Sequence, residues 1–329
     1  MEKVSRSYSV DILRILACLA VILIHIVGVP VMREKVHPGE FDYYVCLFLN
    51  AATHWAVPVF VMITGFFMLD PQKNVSIKKL YSKNILRILV ALIGWSIVYA
   101  AILHKPFYPL GSQEGHFWYL GMIIGVYVSI PILRLITFRP KMMRYFLIAW
   151  FCMMTYTFLG NYMTLPFNLD IALFAQFPGY CVLGYYMKYV SSLESSKARN
   201  MGHALYWMGI IGFLITSMGD ILSHSIDSSL IGANSPNMIF FCASLLLFAA
   251  SHPLKPSYRW SRFIFSCSEC TFGIYLAHVL ILIEVYNRLA RYVPQMLPHF
   301  ILCMLIAFFV GYAITFVLKK IPIVGRYFV

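Results

Sequence analysis

Residues 12–25 read ILRILACLAVILIH, a stretch apolar enough to begin a membrane-spanning helix, which needs about 20 such residues. Arg14 and His25 interrupt it. An α-helix turns by about 100° and rises about 1.5 Å per residue, so the two side chains share nearly one face about 16 Å apart. Ionisable groups inside a span usually face a protein interior or a polar cavity. We therefore take this pair as the first candidate for a functional site.

The composition extends this reading to the whole chain. Of 329 residues, 60% are hydrophobic and 12% are charged, whereas a soluble domain carries about 25% charged residues. We predict an all-α, polytopic membrane bundle of about ten transmembrane helices, forming one integral domain over residues 1–329. The predicted spans are 10–29, 43–69, 84–103, 117–137, 145–160, 170–187, 204–222, 235–250, 270–289 and 298–318, with 251–269 left open.

The net charge of +13 does not indicate nucleic-acid binding, because the basic residues lie in short connections between apolar segments. Alternate connections and tails hold 18 and 4 lysines and arginines. The excess of lysine and arginine marks the cytoplasmic side. This bias predicts that both termini are cytoplasmic, with Arg14 near the cytoplasmic surface and His25 towards the outer face.

Charged residues at the cytoplasmic ends of the spans supply further candidates. Asp11 precedes Arg14 by one helical turn and is expected to pair with a basic group there. Lys79, Lys83 and Arg87 are spaced as one stripe of an α-helix, which suits a polyanion such as a nucleotide phosphate. The same stripe is equally well explained by membrane orientation and lipid headgroups.

The outer ends of the spans combine polar groups with aromatic rings. Such groups could hold a sugar by stacking and hydrogen bonds. Alternatively, they could anchor a loop at the membrane interface. The residues concerned are Glu114, His116, Trp118, Tyr119 and His54. Pro58 is expected to kink the second span. In the ninth span, Tyr275 and His278 are one turn apart, and Glu269 lies at its start.

Familiar catalytic and metal motifs are missing from the sequence. It contains no Walker loop, no H-E-x-x-H and no G-x-S-x-G. Cys267 and Cys270 form a C-x-x-C, but no second pair accompanies them, and thiols in apolar segments pack as small hydrophobes. We therefore expect no metal site.

These motifs together resemble the acyltransferase-3 family of integral membrane acyltransferases, in its short, stand-alone form. Arg14 and His25 match the family's Arg-x10-His signature, and Asp11 matches its usual entry to the first helix. Three further blocks resemble family motifs in order: VPVFVMITGF at 57–66, FWYL at 117–120 and TFGIYLAH at 271–278. An Arg-x-x-Arg motif found in some relatives is incomplete, because Asn84 stands at its first position and Arg87 at its second.

The resemblance implies acyl transfer, with acetyl the expected group, from cytoplasmic acyl-CoA (acetyl-CoA as co-substrate). The acceptor would be a hydroxyl of an envelope polysaccharide or lipid-linked sugar, at a bacterial cytoplasmic (inner) membrane. His25 would be the general base, acting with Arg14 and Asp11. Two other classes stay open: a transporter or flippase for a polar envelope precursor, and a membrane sensing module that binds without turnover.

Overall fold

The computed structural model describes residues 7–32, 35–108, 115–164, 176–193, 196–223 and 229–329. Regular structure in these ranges is helical, which confirms the predicted all-α class. The thirteen α-helices are α1 Tyr8–Met32, α2 Phe41–Ala51, α3 Ala56–Met68, α4 Ile77–Lys79, α5 Leu86–Leu103, α6 Trp118–Thr137, α7 Pro140–Leu159, α8 Gln176–Ser191, α9 Ser196–Ser223, α10 Pro236–Ser251, α11 Tyr258–Ala290, α12 Met296–Leu318 and α13 Pro322–Tyr327. A π-helical turn, Leu80–Ile85, joins α4 to α5.

Eight helical segments of the described residues are long and apolar enough to cross a membrane. They are Tyr8–Pro30, Phe41–Met68, Ile77–Leu103, Gly115–Thr137, Pro140–Leu159, Asn200–Gly219, Tyr258–Ala290 and Met296–Leu318. The chain is therefore a multi-pass membrane protein. Helices α8 and α10 have 16 residues each, which is shorter than the usual spanning length. The count of ten spans and the cytoplasmic termini stay predictions.

Helix α11 departs from the predicted boundary. It begins at Tyr258 and runs for 33 residues, whereas the sequence predicted a span from residue 270 and left 251–269 open. The first turns carry Arg259, Arg262 and Glu269, so a search for apolar segments recognises only the later part. The extra turns include Ser268, whose contacts are described below.

The second span is interrupted between α2 and α3, and Pro58 is not the cause. The interruption covers residues 52–55, and α3 begins at Ala56. Pro58 therefore lies in the first turn of α3, where backbone N–H groups have no partner within the helix and proline is tolerated. The predicted kink at Pro58 is replaced by a break just before it.

The chain forms two compact units. The first contains residues 1–70 and 133–268, and the second contains residues 71–132 and 269–329. Helices α3 and α8 pack closely in the first unit. A Cβ on Gly65 would lie 1.7 Å from the carbonyl oxygen of Cys181, and one on Gly184 would lie 1.9 Å from that of Met62. Only glycine allows this approach, as is common between membrane helices.

Candidate active site

The pair Asp11 and Arg14 lies one turn apart in the N-terminal half of α1. Asp11 is buried, with 2% of its surface exposed. Arg14 Nη1 lies 3.7 Å from Asp11 Oδ1, so the ion pair that the sequence predicted for Asp11 is present. A buried carboxylate needs such a partner because an isolated charge is costly to remove from water.

Ser268 of α11 connects these two groups. Its hydroxyl donates to Asp11 Oδ1 at 2.7 Å, and its oxygen accepts from Arg14 Nη1 at 3.2 Å. The guanidinium carbon of Arg14 also lies 5.7 Å from the ring centroid of Phe67 in α3, within range of a cation–π contact. Sequence reasoning missed Ser268, since no local pattern links residues separated by more than 250 positions.

The start of α1 is tied to the segment after α10. Ser9 donates its hydroxyl to the carbonyl of His252 at 2.6 Å and accepts from the backbone N–H of Leu254 at 2.9 Å. Ser9 is itself buried. These bonds fix the first turn of α1, and with it the backbone that carries Asp11 and Arg14.

The end of α3, beside Phe67, is held by two cations that the sequence analysis did not select. Arg134 Nη1 donates to the carbonyls of Met68 and Asp70, both at 2.8 Å. Lys188 Nζ lies 2.6 Å from Asp70 Oδ2. Orphan carbonyls at a helix end require such donors. The contacts anchor the helix end from which Phe67 projects towards Arg14.

His25 and His54 form the second polar pair of the first unit. Both are partly buried, and the two rings interact electrostatically. His54 Nδ1 lies 2.8 Å from the carbonyl oxygen of Asn50. Because a carbonyl can only accept, Nδ1 carries the hydrogen, and Nε2 of the neutral ring is an acceptor. His54 therefore presents a basic nitrogen within the interrupted span.

The second unit contains a separate cluster of rings around His116. Tyr99 and His278 are fully buried, and His116 is 4% exposed. The ring centroids of His116 and His278 are 5.2 Å apart. Tyr99 donates its hydroxyl to the carbonyl of Leu276 at 3.0 Å, and Tyr275 donates to the carbonyl of His116. Two predicted candidates, Tyr275 and His278, are thus brought together with His116.

The remaining residues of the predicted acceptor group differ in exposure. Trp118 is 49% exposed. Tyr119 is partly buried, with its ring 5.2 Å from that of Tyr275. Glu114 lies outside the described residues. The indole of Trp118 is therefore the member most open to an external molecule, whereas His116 is enclosed.

The predicted basic stripe is divided by the π-helical turn. Leu80–Ile85 is a π-helical turn, in which hydrogen bonds run five residues back, as from the N–H of Leu86 to the carbonyl of Tyr81. A spacing of four therefore no longer gives one turn. Lys79 and Lys83 are exposed, and Arg87 is partly buried. The expectation of a continuous α-helical stripe is wrong because this turn changes the register.

Arg87 contacts the C-terminal segment of the second unit. Its Nη2 donates to the main-chain oxygen of Val329 at 2.6 Å, and its guanidinium carbon lies 5.2 Å from the ring centroid of Phe272. Trp95 Nε1 donates to the carbonyl of Phe328 at 3.0 Å. The segment after α13 therefore lies directly on α5.

Acidic and thiol groups elsewhere show no metal arrangement. Glu269 is exposed and lies 3.7 Å from Lys319 Nζ. Within the residues that the structure describes, no three His, Cys, Asp or Glu side chains are grouped as a metal site would require. The cysteines are free thiols.

Comparison with known proteins gives one match. A family model described as an acyltransferase domain matches residues 7–316. No curated protein and no solved structure matched the chain. The matched range includes Asp11, Arg14, His25 and Ser268, together with the ring cluster around His116.

Proposed function

This chain belongs to the acyltransferase-3 family, and from that premise we propose that it is a membrane O-acetyltransferase. The family supports acyltransferase activity in a multi-pass membrane protein. We further propose acetyl-CoA as donor and an envelope polysaccharide or lipid-linked sugar as acceptor, at a bacterial inner membrane. The sequence motifs resemble in particular the O-acetyltransferase of enterobacterial common antigen.

The observation that carries the proposal is the polar arrangement along α1. Arg14 is held by Asp11 and Ser268 near the start of the helix, and His25 lies eleven residues further on. A fixed guanidinium and an imidazole on one helix supply a cation that can hold the acyl donor and a base that can activate the acceptor.

The proposed reaction begins with the acceptor hydroxyl. His25 accepts its proton as the oxygen attacks the thioester carbonyl, since imidazole exchanges protons near neutral pH. The tetrahedral intermediate then collapses: the carbon–sulfur bond breaks, the ester forms and coenzyme A leaves as the thiolate, which takes up the proton. Arg14 lies about 16 Å from His25 along the helix axis, so it would hold the donor by its phosphates rather than contact the reacting carbonyl.

Donor binding at the membrane surface is assigned to the basic residues of the second unit. Lys79 and Lys83 are exposed, which suits electrostatic attraction of a nucleotide phosphate. Arg87 would hold a phosphate more specifically, because a guanidinium offers several donors in a fixed plane.

Acceptor binding is assigned to the outer aromatic residues. Trp118 would stack on a sugar ring, and Tyr119 and Glu114 would supply polar contacts. His54, with its Nε2 acceptor fixed by the bond to Asn50, would orient the attacking hydroxyl. His116 is enclosed and would help to position the outer groups, held in place by its ring contacts with Tyr275 and His278.

The test is acetyl transfer from labelled acetyl-CoA to an acceptor glycan in proteoliposomes. We expect His25→Ala to lose turnover by a factor of about 10² to 10⁴, because it removes a general base. His37→Ala, at an exposed position, is the matched control and should keep full turnover. A folded His25→Ala protein with wild-type turnover would refute the general-base role.

One observation favours a rival function as transporter or flippase. The span Phe41–Met68 is interrupted at 52–55, and broken helices at membrane depth often line a transport path. This rival predicts movement of a polar precursor without acetyl-CoA and without ester formation. A sensing module predicts binding with no product, so mass spectrometry of the glycan separates all three.

A further inference from the structure

We propose that Ser268 is a positioning residue that sets the orientation of Arg14 for the acyl donor. This inference rests on the proposed function, since it assigns Arg14 to the donor. It adds a residue of α11 to a site otherwise drawn from α1, and no sequence motif selected it.

The direction of each hydrogen bond is fixed by the chemistry of the three groups. An ionised carboxylate can only accept, and a guanidinium can only donate. The single hydroxyl hydrogen of Ser268 is therefore directed to Asp11 Oδ1, at 2.7 Å. Its lone pairs are left to accept from Arg14 Nη1, at 3.2 Å. Ser268 is thus oriented by Asp11 and in turn orients Arg14.

The direct contact between Asp11 and Arg14 is too long to replace this link. Arg14 Nη1 and Asp11 Oδ1 are 3.7 Å apart, which is beyond hydrogen-bond range. The Asp11 carboxylate supplies countercharge, but the hydrogen-bonded link between Asp11 and Arg14 runs through the hydroxyl of Ser268. Phe67 adds a second restraint, because its ring lies 5.7 Å from the guanidinium carbon.

Loss of the Ser268 hydroxyl would change the position of the Arg14 guanidinium and not only the strength of its contacts. Asp11 and Ser268 are each 2% exposed, so water has little access to take the place of the hydroxyl. Without the bridging oxygen, the guanidinium loses the contact that sets its position relative to Asp11. A misplacement of about 1 Å in a group that positions a substrate can cost about a hundredfold in rate.

The experiment is a double-mutant cycle in proteoliposomes, with labelled acetyl-CoA and an acceptor glycan. Ser268→Ala should lower kcat/KM about tenfold in the wild-type background and less than about twofold in an Arg14→Gln background. Ser268→Thr, which keeps the hydroxyl, should retain most of the activity. The control is Ser261→Ala, on the same helix, whose hydroxyl bonds only to the carbonyl of Tyr258; it should match the wild type.

Equal losses from Ser268→Ala in both backgrounds, or no loss in either, would overturn the inference. If Ser268→Ala is not folded, Ser268→Cys carries the same cycle, because a thiol has a similar shape but is a weak donor. Wild-type protein that forms no ester would instead refute the proposed function, so the two failures are distinguishable.

Discussion

Arg14 and Arg87 are both predicted at the donor, yet the protein holds them differently. Arg14 has a buried carboxylate, Asp11, linked through Ser268. Arg87 donates directly to the main-chain oxygen of Val329, lies near the ring of Phe272 and interacts electrostatically with Glu269. A bridging hydroxyl anchored by a carboxylate sets the orientation of Arg14, whereas Arg87 is bound directly. We therefore expect Arg14 to act by position and Arg87 by its charge on the donor.

The largest effect is expected at Arg14. Arg14→Gln should lower the turnover number by about 10² or more, because misplacement of the bound donor by about 1 Å can cost about a hundredfold in rate. The measurement is single-turnover transfer of labelled acetyl. The substitution also leaves Asp11 buried without its cation, which costs about 3–5 kcal/mol for a buried pair.

A double variant separates these two effects. Asp11→Asn with Arg14→Gln removes both charges, so thermal unfolding in detergent should recover towards the wild type while turnover stays low. Recovery of turnover together with stability would mean that Arg14 has only a structural role, and the contrast with Arg87 would disappear.

A smaller effect, of a different kind, is expected at Arg87. Arg87→Gln should raise the KM for acetyl-CoA about tenfold and change the turnover number less than about twofold, because it removes one charged contact to a phosphate. Lys83→Gln, at an exposed position, should raise KM only about twofold, since solvent screens its charge. An unchanged KM in Arg87→Gln would remove this residue from donor binding.

The smallest effect tests the packing that surrounds Arg87. A Cβ on Gly94 would lie 1.9 Å from the ring of Phe328, so Gly94→Ala must displace this ring from its position against α5. We expect a loss of about 1–2 kcal/mol in the free energy of unfolding. In the same unit, Gly125→Ala meets nothing within 4 Å and should be neutral or slightly stabilising. Equal stability of the two variants would show that the segment adapts freely.

Much of the fold follows from local sequence. The predicted spans 10–29 and 298–318 agree with Tyr8–Met32 and Met296–Leu318 to within three residues at each end, because a run of apolar residues is sufficient to define them. The start of α11 and the π-helical turn were missed. The start of α11 carries Arg259 and Arg262, and the π-helical turn carries Lys83 and Asn84, so hydrophobicity does not define the backbone structure of either segment.

The candidate site, like the fold, was predicted from the sequence only where its contacts are local. Spacing along one helix predicted that Asp11 would pair near Arg14. The contacts of Ser268 with Asp11 and of Arg87 with Val329 join residues more than 240 positions apart. One unused signal was available: a carboxylate inside a span requires donors, and the polar start of α11 could supply one.

The interruption of the second span has a consequence for the order of folding. Thr53 donates its hydroxyl to the carbonyls of Leu49 and Asn50, and Trp55 Nε1 donates to that of Ala52. With the bond from His54 to Asn50, these acceptors are served by donors only three or four residues away. The carbonyl of Trp55 accepts from the more distant thiol of Cys242. Most of the break can therefore form as the segment enters the bilayer, and the contact with α10 follows later.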